Sequence, residues 1–128
     1  MNEKTIGLVI ARVILGITFA LHGLAKFQDG INGTAEFFSS VGIPSFLAYI
    51  VAGIELVGGI LMVLGIFTKV VAALLIVIML GAIGTVKYSM GFLDGFELDL
   101  ALLALAVVAF TTNSWTQWFA FTPPTKAE

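Results

Sequence analysis

Four long apolar runs, separated by short polar segments, make up most of this chain. They span residues 6–27, 46–68, 70–90 and 98–121 and are apolar around their whole circumference, unlike the one-sided helices of a soluble domain. At ~1.5 Å per residue, each run is about long enough to cross the ~30 Å hydrocarbon core of a membrane. The pattern predicts an all-α fold, a transmembrane four-helix bundle with helices at about 5–27, 46–68, 70–90 and 97–121.

A segment punctuated by glycine and proline, residues 28–45, separates the first two runs. Within it, residues 34–41 predict a short interfacial helix with Thr34 as its N-cap. Its apolar face would consist of Phe37, Phe38 and Val41. The next connection, at Thr68-Lys69, is so short that the second and third helices should be antiparallel neighbours.

The end of the chain has features typical of a segment that lies at a membrane surface. Polar residues 111–114 interrupt the fourth run, and an aromatic belt follows, formed by Trp115, Trp118, Phe119 and Phe121. Three lysines fall on one side of the bundle (Lys4, Lys69 and Lys126) and two on the other (Lys26 and Lys87). The positive-inside rule therefore predicts a multi-pass protein of the cell (inner) membrane with both termini in the cytoplasm.

Composition supports a membrane protein and excludes several functions. The 128 residues are 59% hydrophobic and 11% charged, whereas about 25% is usual for a soluble domain. Six scattered Lys and Arg and a net charge of −2 argue against nucleic-acid binding. The length suits a single domain over residues 1–128. We interpret the first run as a retained helix, since it is about twice as long as the apolar core of a secretion signal.

The chain contains no cysteine, which excludes disulfides, thiolate catalysis and cysteine-ligated metals or iron–sulfur clusters within it. Any redox chemistry would use a bound cofactor, a quinone-like substrate or a partner. The 14 glycines fit a tightly packed bundle and a homo-oligomer. We interpret five of them as points of close helix contact: Gly53, Gly58, Gly59, Gly81 and Gly84.

The charges inside the apolar runs are the candidate functional residues, because an ionisable group in lipid is costly and normally faces other helices. Arg12 and Glu55 are expected at similar depths on the first and second helices, so the sequence predicts that they pair. Such a pair either fixes the register of the bundle or lies beside a ligand cavity. Arg12 also begins a stripe with 4-3-4-3 spacing that continues through Gly16, Phe19, Gly23 and Lys26.

A second group of polar side chains converges on the opposite leaflet. Its members are His22, Lys26, Lys87, Glu97 and Asp99, with Tyr49 at similar depth. Each also has a structural explanation: the lysines reach for the headgroups, the histidine packs with a hydrogen bond, and the acids cap a helix. Together they could hold the polar head of a quinone or catechol. No metal is expected, because one histidine with carboxylates offers few ligands and the two nearby lysines would repel a cation.

Several segments together resemble the DoxX family of small four-helix membrane proteins. They are Arg12–Gly16, His22-Gly23 with Lys26-Phe27, Gly42-Ile43-Pro44, Glu55-Leu56-Val57-Gly58-Gly59 and Leu64-Gly65. The resemblance implies an inner-membrane oxidoreductase component, in some members linked to thiosulfate:quinone oxidoreduction, quinone or catechol stress, or a soluble redox enzyme. By similarity, Arg12, His22, Lys26 and Glu55 are the functional candidates, followed by Lys87 and Glu97.

The expected function is that of a quinone-interacting oxidoreductase or the membrane subunit of one. His22, Lys26 and Lys87 would act in catalysis, with His22 carrying protons because imidazole changes its charge near neutral pH. Arg12, Glu55, Tyr49 and Glu97 would bind the cofactor or quinone. Two alternatives stay open: a non-enzymatic membrane anchor for a soluble redox subunit, and a small-molecule carrier.

Overall fold

The computed structural model describes residues 2–85, 91–93 and 97–123 of the chain. Five helices occupy most of this part: α1 (Glu3–Gln28), α2 (Ile31–Ser40), α3 (Phe46–Leu64), α4 (Thr68–Thr85) and α5 (Glu97–Thr111). Apart from an isolated antiparallel bridge between Ile66 and Phe119, no strand pairing occurs in these residues. The all-α prediction is confirmed. By length and composition, α1 and α3 could each cross a membrane, and α4 is a shorter apolar helix.

The first two helices begin earlier than the sequence predicts. The Asn2 side chain accepts a hydrogen bond from the Thr5 backbone N–H (2.8 Å), so α1 starts at Glu3. After α1 ends, Gly30 adopts a φ of +98°, which a residue with a side chain rarely does, and α2 begins directly after it. Thr34 therefore lies inside α2, and its predicted role as N-cap is wrong.

Helices α1 and α3 pack with their backbones in contact. A Cβ atom at Gly16 would lie 2.6 Å from the Gly59 carbonyl oxygen, and one at Gly59 would lie 2.6 Å from that of Gly16. Gly23 is in similar contact with Ala52 and Leu56. The predicted α1 stripe is confirmed as the face that packs against α3, since Arg12, Gly16, Phe19 and Gly23 are all buried.

The remaining core joins this helix pair to α4 and α5. Leu15, Phe19 and Met62 pack in one apolar cluster with residues of α4 (Val71, Ala72, Leu75 and Met79) and α5 (Leu102, Ala106 and Ala109). Gly58 and Gly59 are buried, as predicted. The same prediction is wrong for Gly53, Gly81 and Gly84, because a Cβ atom at these positions would meet none of the described residues within 4 Å.

The chain after α5 folds back, so the predicted helix to residue 121 is wrong. The side chains of Thr111, Thr112 and Asn113 bond to carbonyls four residues earlier, at 2.9, 2.6 and 2.9 Å, and the helix ends at Thr111. Residues 112–123, the return segment, then pair with the α3–α4 turn. Trp118 accepts a bond from the Phe67 N–H (2.8 Å), and the Ala120 N–H donates to Gly65 (2.9 Å).

The α3–α4 turn itself differs by a few residues from the predicted connection. Helix α3 ends at Leu64, and Gly65 forms its C-cap in the left-handed region with a φ of +83°. Thr68 and Lys69 belong to the first turn of α4. The expected antiparallel relation of the two helices is confirmed, because only three residues join them and they pack against each other.

Candidate functional site

A buried ion pair joins α1 to α3. Lys26, in the last turn of α1, donates a hydrogen bond through Nζ to Oε1 of Glu55, in the middle of α3. The Glu55 side chain is 2% exposed and that of Lys26 is 30% exposed. The carboxylate is thus enclosed, whereas part of the Lys26 side chain is exposed at the surface. The position of Lys26 also suits the negative end of the α1 dipole.

The predicted pair between Arg12 and Glu55 is wrong, and the packing of the helices explains why. Arg12 lies opposite Val63, whose carbonyl accepts a bond from its Nη2 at 3.4 Å. Val63 follows Glu55 by eight residues, or roughly 12 Å along the helix. The glycine contacts between α1 and α3 fix this register, so Lys26 rather than Arg12 meets the acid.

Arg12 instead holds the return segment. Its Nη1 donates to the carbonyls of Phe121 and Ala120 (3.4 Å for Ala120), and its guanidinium carbon lies 4.8 Å from the centre of the Phe121 ring. The residue is 4% exposed. These partners could not be predicted from the sequence. Every residue has a backbone carbonyl, so the residue types at 120 and 121 do not indicate a bond to Arg12.

His22 and Tyr49 lie near the same end of the molecule as the ion pair. His22 is exposed, one turn before Lys26 on α1. Tyr49, in the first turns of α3, donates from its hydroxyl to Oδ1 of Asn32 at 2.8 Å and so links α3 to α2. Asn32 was not predicted; its place in the polar segment gave no sign of a partner.

The acids of α5 belong to this end as well. Lys69, at the start of α4, donates to the Phe110 carbonyl near the end of α5 (3.0 Å), so the two helices run antiparallel. Glu97 and Asp99, in the first turn of α5, therefore lie at the end where α1 finishes, and both are half-buried. Lys87, predicted as a catalytic member, lies outside the described residues, as do Tyr88 and Met90.

An apolar surface groove between α3 and α4 does not contain the ion pair. It has a volume of about 360 Å³ and an apolar lining from α3 (including Tyr49, Gly53 and Val57) and α4 (Val71 and Leu74). Glu55 is not among its lining residues, because it faces α1. Within the described residues, no three His, Asp or Glu side chains are grouped to hold a metal ion.

Comparison with known proteins identifies the family. The DoxX family model matches residues 7–88, about two thirds of the chain. The chain belongs to the DoxX family. The matched region contains Arg12, His22, Lys26, Tyr49 and Glu55, and it ends before α5.

Curated relatives of this DoxX protein come from several bacteria. It is 46% identical over 115 residues to "Putative oxidoreductase CatD" of Bacillus subtilis, covering 89% of this chain and 85% of the relative. It is 40% identical over 76 residues to inner membrane protein YphA of Escherichia coli (58% and 54% covered), and 30% identical over 69 residues to inner membrane protein YqjF (54% and 52%). No solved structure is significantly similar to the chain.

Proposed function

We propose that this DoxX protein is a quinone-interacting oxidoreductase of the cell membrane, or the membrane subunit of one. The observation that carries the proposal is the Lys26–Glu55 pair, in which an enclosed acid holds a lysine that reaches the surface. The oxidoreductase named among its relatives supports the reaction class.

Lys26 is the group suited to the polar head of a quinone. Its ammonium group donates hydrogen bonds, and a quinone carbonyl oxygen accepts them. As the ring is reduced, negative charge grows on that oxygen, and a fixed cation stabilises it more strongly than it stabilises the neutral quinone. Glu55 holds Lys26 in place.

Protons and electrons would reach this site by different routes. Reduction of a quinone to a quinol takes up two electrons and two protons. His22, exposed one turn away on α1, is suited to exchange protons with water. Because the chain carries no cysteine, electrons would come from a bound redox group or a redox partner.

The proposed setting is a bilayer spanned by α1, α3, α4 and α5, with α2 at the interface and both termini in the cytoplasm. Trp115 and Trp118, which are exposed after the end of α5, would form the aromatic belt at one membrane surface. Two relatives are named as inner membrane proteins. Cleavage by protease from one side of sealed vesicles would test the orientation.

Binding of a short-tailed quinone to the purified protein tests the site. We expect Lys26→Met/Glu55→Leu to weaken binding at least ~10-fold, because it removes a charge-assisted hydrogen bond. His22→Ala should weaken it by about threefold, the worth of one ordinary hydrogen bond. Lys4→Met, which removes an exposed lysine from the other end of α1, should bind as the wild type does. Equal affinity in all four proteins would reject the site.

An anchoring function is the second candidate, and the exposed face of α2 favours it. Phe37 and Val41 are exposed at the end that carries the ion pair, where a soluble redox subunit could dock. A purified soluble reductase should then bind the wild type and lose affinity for Phe37→Ser. Quinone binding without any reductase binding would favour the first function alone.

A further inference from the structure

Arg12 is a buried cation that has no acidic partner among the described residues. Its described hydrogen-bond partners are three backbone carbonyls, those of Val63, Ala120 and Phe121. Of its two other N–H donors, Nε–H belongs to a buried atom that has no hydrogen-bond partner among the described residues. Carbonyl dipoles satisfy donors but do not neutralise a charge, and a buried charge is costly unless it is paired.

Few of the acids among the described residues lie at the end of the molecule around Arg12. Among the described residues, Asp29, Glu36, Glu55, Glu97 and Asp99 lie at or towards the other end. Lys4 and Lys69 share the end of Arg12, with Glu3 exposed at the start of α1. The local excess of positive charge would attract an anion from outside the chain.

A small recess adjoins Arg12 between α1 and α5. Its volume is about 10 Å³, enough for one water-sized atom. Ala11, Thr112 and Asn113 contribute to its walls and are half-buried, so the recess reaches the surface. The space admits a single oxygen of a larger anion, whose remaining atoms would stay outside.

We propose that this recess binds one oxygen of a phosphate group, with the Nε–H of Arg12 as donor. Trp115 and Trp118 are exposed on the return segment that Arg12 holds, and tryptophan is typical of the headgroup level, where phosphates of lipids are concentrated. Basic pockets between membrane helices commonly bind anionic headgroups. The phosphate belongs either to a phospholipid headgroup or to a free ion, and the site is separate from the Lys26–Glu55 pair.

Filling the recess tests the proposal without touching Arg12. Ala11→Leu would place a larger side chain in its wall, and Ala101→Leu makes the same change at an exposed position of α5 outside the recess. We would titrate delipidated protein in detergent with dihexanoylphosphatidylglycerol and, separately, with inorganic phosphate at constant ionic strength. Native mass spectrometry or the shift in Tm would report binding.

The expected result is saturable binding that Ala11→Leu weakens at least ~10-fold and Ala101→Leu leaves unchanged. If Ala11→Leu weakens binding of the lipid alone, the recess is a site for phospholipid headgroups. If Ala11→Leu also weakens binding of inorganic phosphate, the recess is a general phosphate site. If the two variants bind both probes equally, or no probe binds, the recess holds water only and the proposal fails. A thermal unfolding curve of each variant without ligand confirms that it is folded.

Discussion

Gly59→Ala is expected to destabilise the protein by about 3 kcal/mol, at the upper end of the range for overpacked sites. The added methyl group would meet the backbone of α1 at Ala20 and the Gly16 carbonyl oxygen, 2.6 Å away. Neither is the end of a flexible side chain, so relief requires α1 and α3 to move apart. Because these helices hold Lys26 against Glu55, the change should also disturb the ion pair.

Gly53→Ala is the matched control on the same helix. A Cβ atom at Gly53 would meet nothing within 4 Å in the part of the chain that the structure describes, and alanine favours a helix more than glycine does. We expect this variant to unfold at the same denaturant concentration as the wild type or a slightly higher one. Its free energy of unfolding should rise by up to ~1 kcal/mol. Unfolding in detergent micelles would compare the two. Equal stability of both variants would contradict the close α1–α3 contact.

Lys26→Met is expected to cost about 3 kcal/mol of folding free energy, because it leaves the carboxylate of Glu55 buried and unpaired. The Glu55 side chain is only 2% exposed, so little water reaches its carboxylate to take the place of the Lys26 ammonium group. The partial exposure of Lys26 keeps the estimate at the lower end of the range for buried pairs.

The double variant Lys26→Met/Glu55→Leu should recover most of this stability. It replaces the whole pair by apolar side chains of similar size, and such replacement is often neutral. Denaturant unfolding of the wild type, the two single variants and the double variant forms a double-mutant cycle. A double variant as unstable as Lys26→Met would show that the charges themselves are needed for the fold.

Much of the helical framework was predictable from the sequence, because long apolar runs and the α1 stripe depend on local periodicity. The family was also identified from motifs that lie between Arg12 and Gly65. The partners of the charges were not predictable. Depth in a membrane places a residue along a helix only coarsely, whereas the glycine contacts set the register that brings Lys26 to Glu55.

The end of α5 shows a second limit. The aromatic residues after Thr111 extend the apolar run, so the sequence favoured a continuous helix. Polar side chains at 111–113 instead bond to the last turn, and the return segment gains partners in the α3–α4 turn and at Arg12. Those partners lie far away in sequence, so the local pattern of residues does not predict their effect on the fold.

The two charged sites lie at opposite ends of the α1–α3 pair. Glycine contacts at Gly16, Gly23 and Gly59 hold the helices together between them. This rigid pair would keep Lys26 in a fixed position at the surface, which a site for a planar ring requires. Exchange of the ring with the bilayer would then need no rearrangement of the helices.

Mass spectrometry of small molecules extracted from the protein, purified from its membrane in mild detergent, tests the quinone site most directly. The wild type should retain a quinone in an amount near that of the protein, and Lys26→Met/Glu55→Leu, purified in the same way and shown to be folded, should retain at least ~10-fold less. No quinone in the wild type, or equal amounts in both proteins, would contradict a quinone site at the Lys26–Glu55 pair.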